Sequence, residues 1–255
     1  AADYVMHLSI DPIKQAGGWL MRLRFNHDAL KGSPALEVSK QLKHVTLRQA
    51  IHKLSDAVIE SWTKRPGINQ SRILYVLKTH DDVKGMGRLY RLMLAQIDGT
   101  QTRPILTSKK PILSPAFSKN GKNIAYVSFE YDHPVIYIHN IKKQTRRLIT
   151  NYPGINSAPT FTPDGHALIV ALSFHGKYPH LYEINLDNGK RKQLTQGDFI
   201  DTEPYMSQDS KYIWFTSNRF GMPGVYQLNR STKKIKRITQ KGLYQSKPKV
   251  SADSK

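Results

Sequence analysis

Four stretches of this chain repeat at intervals of 43–45 residues, and each repeat reads as four short strands. That predicts a mainly β fold, a β-propeller built from four-stranded blades of about 44 residues. Three observations carry the prediction: a spaced proline motif, strand landmarks that recur in phase, and a non-repeating segment with one amphipathic helix in front. The expected organisation is a small partial α/β domain over 1–70 and an incomplete propeller over 71–255.

The first segment begins with two alternating stretches, Tyr4–Ile10 and Trp19–His27, with a Gly17-Gly18 turn between them. Leu36–Lys40 reads as a third strand. A helix follows, because Leu47, Ala50, Ile51, Leu54, Ala57, Val58 and Trp62 keep the i, i+3, i+4, i+7 spacing of one apolar face. Thr46 and Gln49 form a capping box, in which each side chain satisfies a free backbone donor of the first turn. Pro66 and Gly67 end the helix. Three strands and one helix make a thin core, so this segment is expected to be the tail of a larger α/β unit.

The repeats start at Arg72. Pro115-Ala116-Phe117-Ser118 matches Pro159-Thr160-Phe161-Thr162, then Pro204-Tyr205-Met206-Ser207, then Pro248-Lys249-Val250-Ser251. An apolar strand recurs at Ile73–Val76, Ile124–Ser128, Leu168–Ala171 and Ile213–Ser217. An aromatic strand recurs at Ile136–Ile138, Leu181–Ile184 and Val225–Leu228, and Thr107, Thr150, Thr195 and Thr239 close the units. Asn120-Gly121 and Asp164-Gly165 are tight-turn signals joining the first two strands of a unit, since Asn or Asp followed by Gly tolerates positive φ. The alternation in Ile136–Asn140 predicts a half-buried strand. The other repeated-sheet architecture, a β-helix, has shorter coils. The first unit starts at its second strand and a fifth begins near Lys255, so the sequence is expected to be part of a longer chain. A four-bladed ring is the alternative, with one strand left over.

Apolar residues are 39% of the chain, and 13 Tyr, 8 Phe and 3 Trp exclude disorder by composition. There is no cysteine, which excludes disulfides and cysteine metal sites but does not fix the compartment. The longest apolar run, Ala167–Leu172, is far too short to span a bilayer. No signal peptide is visible, and the start at Ala1 reads as a processed or trimmed form. The net charge of +20 attracts anionic surfaces or acidic proteins, yet the basic residues are spread, and no aromatic–basic platform points to nucleic acid. A strongly salt-dependent, sequence-blind affinity for DNA would mark that reading.

Catalytic patterns are missing: no Gly-x-Ser-x-Gly, no His-Glu-x-x-His and no phosphate-binding glycine loop. Gly85-Met86-Gly87 reads as a hairpin turn. His133 and His139, with His175 and His180 one blade on, flank strand turns at what read as equivalent positions. They are either polar hairpin residues or a shared metal site. Asp198, Asp201 and Glu203 share one loop, either solvated or a weak cation site. No cofactor, metal site or catalytic residue is assigned.

The repeat text resembles the TolB family. The residues that carry the likeness are Thr202-Glu203-Pro204, Gln208-Asp209-Ser210, Phe215–Pro223 with Val225-Tyr226, Ala158–Gly165, and Ser114–Phe117 with Ala125–Glu130. It extends upstream through Arg72–Val76 to the helix ending at Trp62. The resemblance implies a non-enzymatic periplasmic protein of the Tol–Pal system, with an α/β domain and a six-bladed propeller that binds the lipoprotein Pal. It also implies an N-terminal segment that signals to TolA, and roles in outer-membrane integrity and constriction at cell division. That TolA-contacting segment, part of the α/β domain and about two blades are expected to lie outside this sequence. The family's Pal contacts sit on the loops that reach the channel mouth, which match Leu113, Ser114, Asn156, Ala158, Thr202 and Glu203. Glu203 matches an acidic partner-binding residue, whereas Ile155 replaces a polar one. The alternative is the noncatalytic propeller of a prolyl-oligopeptidase-type serine peptidase, whose hydrolase domain would lie elsewhere in the gene.

Overall fold

The computed structural model describes residues 4–13, 18–27, 36–43, 47–81, 87–174, 176–240 and 242–251. The chain divides into two compact units, one of Ala1–Ile73 with Ala95–Thr102 and one of Leu74–Leu94 with Arg103–Lys255.

The first unit holds an antiparallel sheet in the order β1 (Tyr4–Ile13), β2 (Gly18–His27), β3 (Leu36–Lys43), followed by α1 (Leu47–Thr63). All three strands and the helix appear where alternation and helical spacing predict them. Thr46 and Gly17 lie outside the described residues, so the capping box and the glycine turn do too. Ala50, Leu54 and Val58 are the buried stripe of α1. Ile51 and Trp62, expected on that stripe, are instead 42% and 58% exposed. An apolar face wider than its packing partner leaves its flanks in water. Asp56 is buried on the helix and accepts four hydrogen bonds at 2.8–3.2 Å, from the backbone and side-chain amides of Asn69 and Gln70. Burial raises its pKa, but these four donors outweigh it and hold the carboxyl below the ordinary carboxylate value. A Cβ on Gly67 would sit 2.5 Å from Asp56 Cα, so only glycine lets the chain pass this close to the helix.

The second unit is a series of antiparallel meanders. Blade one is β4 (Arg72–Asp81), β5 (Gly87–Gln96) and β6 (Arg103–Ser108). Blade two is β7 (Ile112–Phe117), β8 (Asn123–Ser128), β9 (Val135–Asn140) and β10 (Thr145–Thr150). Blade three is β11 (Asn156–Phe161), β12 (Ala167–Leu172), β13 (His180–Asn185) and β14 (Arg191–Gln193). Blade four is β15 (Asp201–Met206), β16 (Tyr212–Ser217), β17 (Gly224–Asn229) and β18 (Ile235–Arg237). No helix among the described residues is long and apolar enough to cross a membrane.

The turn between the first two strands is the same device in three blades. Ser118, Thr162 and Ser207 each donate a hydroxyl to Asn120, Asp164 or Asp209 and accept the backbone N–H five residues on. The acidic or amide side chain in turn accepts the N–H two residues beyond it, at 3.0 Å in each case. Bonds from Thr162 and Ser207 hold Asp164 and Asp209 below the ordinary carboxylate range. Between them stand Gly121 (φ 63°), Gly165 (φ 79°) and Ser210 (φ 59°), all left-handed.

The cores lie between blades. Along β12 every residue is buried, yet the two faces go to different neighbours. Leu168, Val170 and Leu172 pack with Ala125, Val127, Ile136 and Ile138 of blade two. Ile169 and Ala171 pack with Ile213, Phe215 and Tyr226 of blade four. The same two-sided burial overturns the half-buried reading of β9, where Val135 to His139 are all buried. Alternation there separates two cores rather than core from solvent.

Candidate functional site

Each inner strand carries a one-residue bulge at its Xaa-Pro pair. Pairing breaks between Leu113 and Ala116, between Ser157 and Thr160, and between Thr202 and Tyr205. The residue before proline takes a left-handed φ every time: Ser114 48°, Ala158 49°, Glu203 53° and Lys247 52°. A non-glycine residue pays about 1–2 kcal/mol for this conformation. A cost paid four times over marks a conformation that the surrounding structure holds in place, as functional walls often do.

These four Xaa-Pro pairs line one open cavity of about 220 Å³. Ser114, Ala158 and Glu203 of the expected site residues are in its wall. The other three are not. Leu113 is 48% exposed beside it, and Thr202 sits in the ladder opposite Thr216. Asn156 is wholly buried; its amide donates to the Tyr152 carbonyl at 2.7 Å, and its oxygen accepts the Tyr152 N–H at 3.2 Å. It shapes the loop from within.

Glu203 is the single carboxylate in the wall among the described residues. Oε2 accepts the Thr216 hydroxyl at 3.0 Å and the Lys247 backbone N–H at 2.9 Å, while Lys247 Nζ lies 3.9 Å from Oε1. Its position is therefore set by the strand beside it and by the start of the following repeat. Lys247 was not foreseen, although the 44-residue offset from Glu203 places it at the equivalent position.

Asp201 is not part of a solvated loop. It is wholly buried, accepts Arg219 Nη2 at 2.8 Å and lies 3.5 Å from His180 Nδ1. The Arg219 guanidinium stacks over Phe199, Tyr226 and Phe215 at 4.4–5.3 Å. The Arg219 pair uses this carboxylate to hold the 199–219 region together. No group of three metal-ligating side chains occurs among the described residues. The histidine equivalence also fails: His180 opens β13 whereas His139 falls near the end of β9, and His175 lies outside the described residues.

The comparisons with known proteins agree with this architecture. The family model for the TolB beta propeller domain matches residues 59–255. The chain is 37% identical over 178 residues to the Tol-Pal system protein TolB of Bordetella pertussis, covering 69% of this chain and 39% of that protein. The Bordetella parapertussis counterpart matches at 37%, covering 69% of this chain and 38% of that protein. Among solved structures, TolB from Acinetobacter baumannii superposes with a TM-score of 0.86 at 35% identity, covering 98% of this chain and 61% of that chain. Puromycin hydrolase, at 13% identity and a TM-score of 0.52 over 90% of this chain and 38% of its own, shares the fold alone. The chain spans about two fifths of the length of the curated relatives it matches. By the family model and these relatives, it belongs to the TolB β-propeller family.

Proposed function

We propose that this chain is the partner-binding propeller portion of a periplasmic, non-enzymatic Tol–Pal protein, and that it binds the lipoprotein Pal at the mouth of the Xaa-Pro cavity. In this reading it supports outer-membrane integrity and constriction at division, with TolA engaged by a segment outside this sequence. Residues 1–70 act as part of the α/β domain and 71–255 as the propeller. The observation that carries the reading is Glu203. It is a carboxylate held at an open cavity by Thr216 and the Lys247 backbone, with 23% of its side chain still exposed. A pre-positioned acid in a strongly basic protein is a specific contact for a donor-rich partner segment. Ser114 and Ala158 contribute cavity wall, and Leu113 and Thr202 contribute rim. Asn156 acts indirectly by holding its loop.

The test is a titration of the chain against purified Pal at two salt concentrations. Binding at micromolar strength or tighter that survives moderate salt is expected. Glu203→Ala is expected to weaken it by about 1–3 kcal/mol. Unchanged affinity in a folded variant overturns the role of Glu203, and no binding by the folded wild-type chain overturns the function.

A further inference from the structure

A second cavity, of about 390 Å³, lies at the outer rim where blades three and four meet. Its cationic walls are Lys192 from β14, Lys211 just before β16, and Arg230 and Lys233 from the turn between β17 and β18. Two of the four charges are already engaged. Arg230 Nη2 donates to both oxygens of Glu183 at 2.9–3.0 Å, and Lys211 Nζ lies 3.9 Å from Asp209. Lys192 and Lys233 have no carboxylate at ion-pair distance among the described residues. Ser210 and Ser231 add hydroxyls to the wall.

The preceding repeat supplies an internal control. Between blades two and three a cavity of about 270 Å³ is walled by Arg147 and by Leu186, Asp187 and Gly189 at matching repeat positions. There the residues matching Lys192, Lys211, Arg230, Ser231 and Lys233 are Arg147, His166, Leu186, Asp187 and Gly189. Arg147 is spent on the Leu186 carbonyl, and His166 pairs with Asp187 at 3.1 Å. The groove therefore builds without a cationic cluster, so folding does not require the one between blades three and four. Partial burial, then repulsion from Lys192 and Arg230, outweighs attraction to Glu183 in the same wall and lowers the Lys233 pKa below the ordinary lysine value. The cluster thus carries like-charge repulsion that a bound anion would relieve.

We propose that the rim groove between Lys192 and Lys233 binds a phosphate-bearing ligand. Two unpaired ammonium groups in one cavity match a dianion, whereas a lone carboxylate neutralises only one of them. A soluble phosphate ester and a phospholipid headgroup share this chemistry.

Two probes distinguish those sources: pyrophosphate in solution, followed by calorimetry, and phosphatidylcholine vesicles doped with phosphatidic acid, followed by sedimentation. Saturable binding of the full chain to at least one probe is expected, weakening as salt is raised. The double variant Lys192→Gln/Lys233→Gln should lose about tenfold or more in affinity, with thermal unfolding unchanged. Lys233→Glu should lose at least as much, and Lys122→Gln, in the equivalent turn of blade two and outside this groove, should bind as the parent does. Absence of saturable binding to both probes overturns the proposal. So does a folded Lys233→Glu variant that retains the parent affinity.

Discussion

His139 shows what one residue does when the repeat around it is apolar. Its side chain is 6% exposed at the end of β9, and Nδ1 has no hydrogen-bond partner. The matching position in blade three is Ile184, 3% exposed in the core. Burial, then the nearby Arg146 charge, pushes the imidazole pKa below its ordinary value. The sign follows from linkage: a folded pKa below the unfolded one means stability is full above about pH 6.5 and is lost as pH falls through the folded value. His139→Ile should therefore flatten the stability difference between pH 8 and pH 5, read by urea unfolding at both. An equal difference in parent and variant would show that other groups set the acid limb.

At the scale of elements, the turns and bulges decide more than the strands do. The glycine turn signals at Asn120-Gly121 and Asp164-Gly165 were legible because their chemistry is local. Blade four places Ser210 at the same left-handed position, where serine pays a backbone cost that glycine avoids. Ser210→Gly should stabilise the chain by about 0.5–1 kcal/mol by urea titration. A destabilised variant would mean that the serine hydroxyl matters more than the backbone conformation. The Xaa-Pro bulges were not legible. Residues before proline usually adopt extended backbone, and only the pairing of β7, β11 and β15 with their partners shows the extra residue in each.

At the scale of the molecule, blades two and three are each a wall between two cores, so damage should spread to neighbours rather than stay local. Phe215 is fully buried between blades three and four, against Ile169 and Ala171. Phe215→Ala should cost about 3–5 kcal/mol. Hydrogen exchange should then show protection lost in β12, β13 and β16 before β5 or β8 is affected. Uniform loss across all blades would instead mean a single cooperative unit.

The sequence by itself determined the blade period, the strand positions, the turn chemistry and the helix before the repeats. Each of these is written in the spacing of nearby residues, which local backbone geometry obeys. Only the tertiary structure decided which residues meet. It sent Asn156 inward and joined Glu203 to Lys247. It also buried Asp201 under Arg219, and left Lys192 and Lys233 facing one groove. The Glu203–Lys247 contact and the Lys192–Lys233 groove depend on the packing of whole blades, because residues one repeat apart become neighbours only when one sheet closes against the next, whereas Asn156 and Asp201 are fixed by contacts within their own loop and blade.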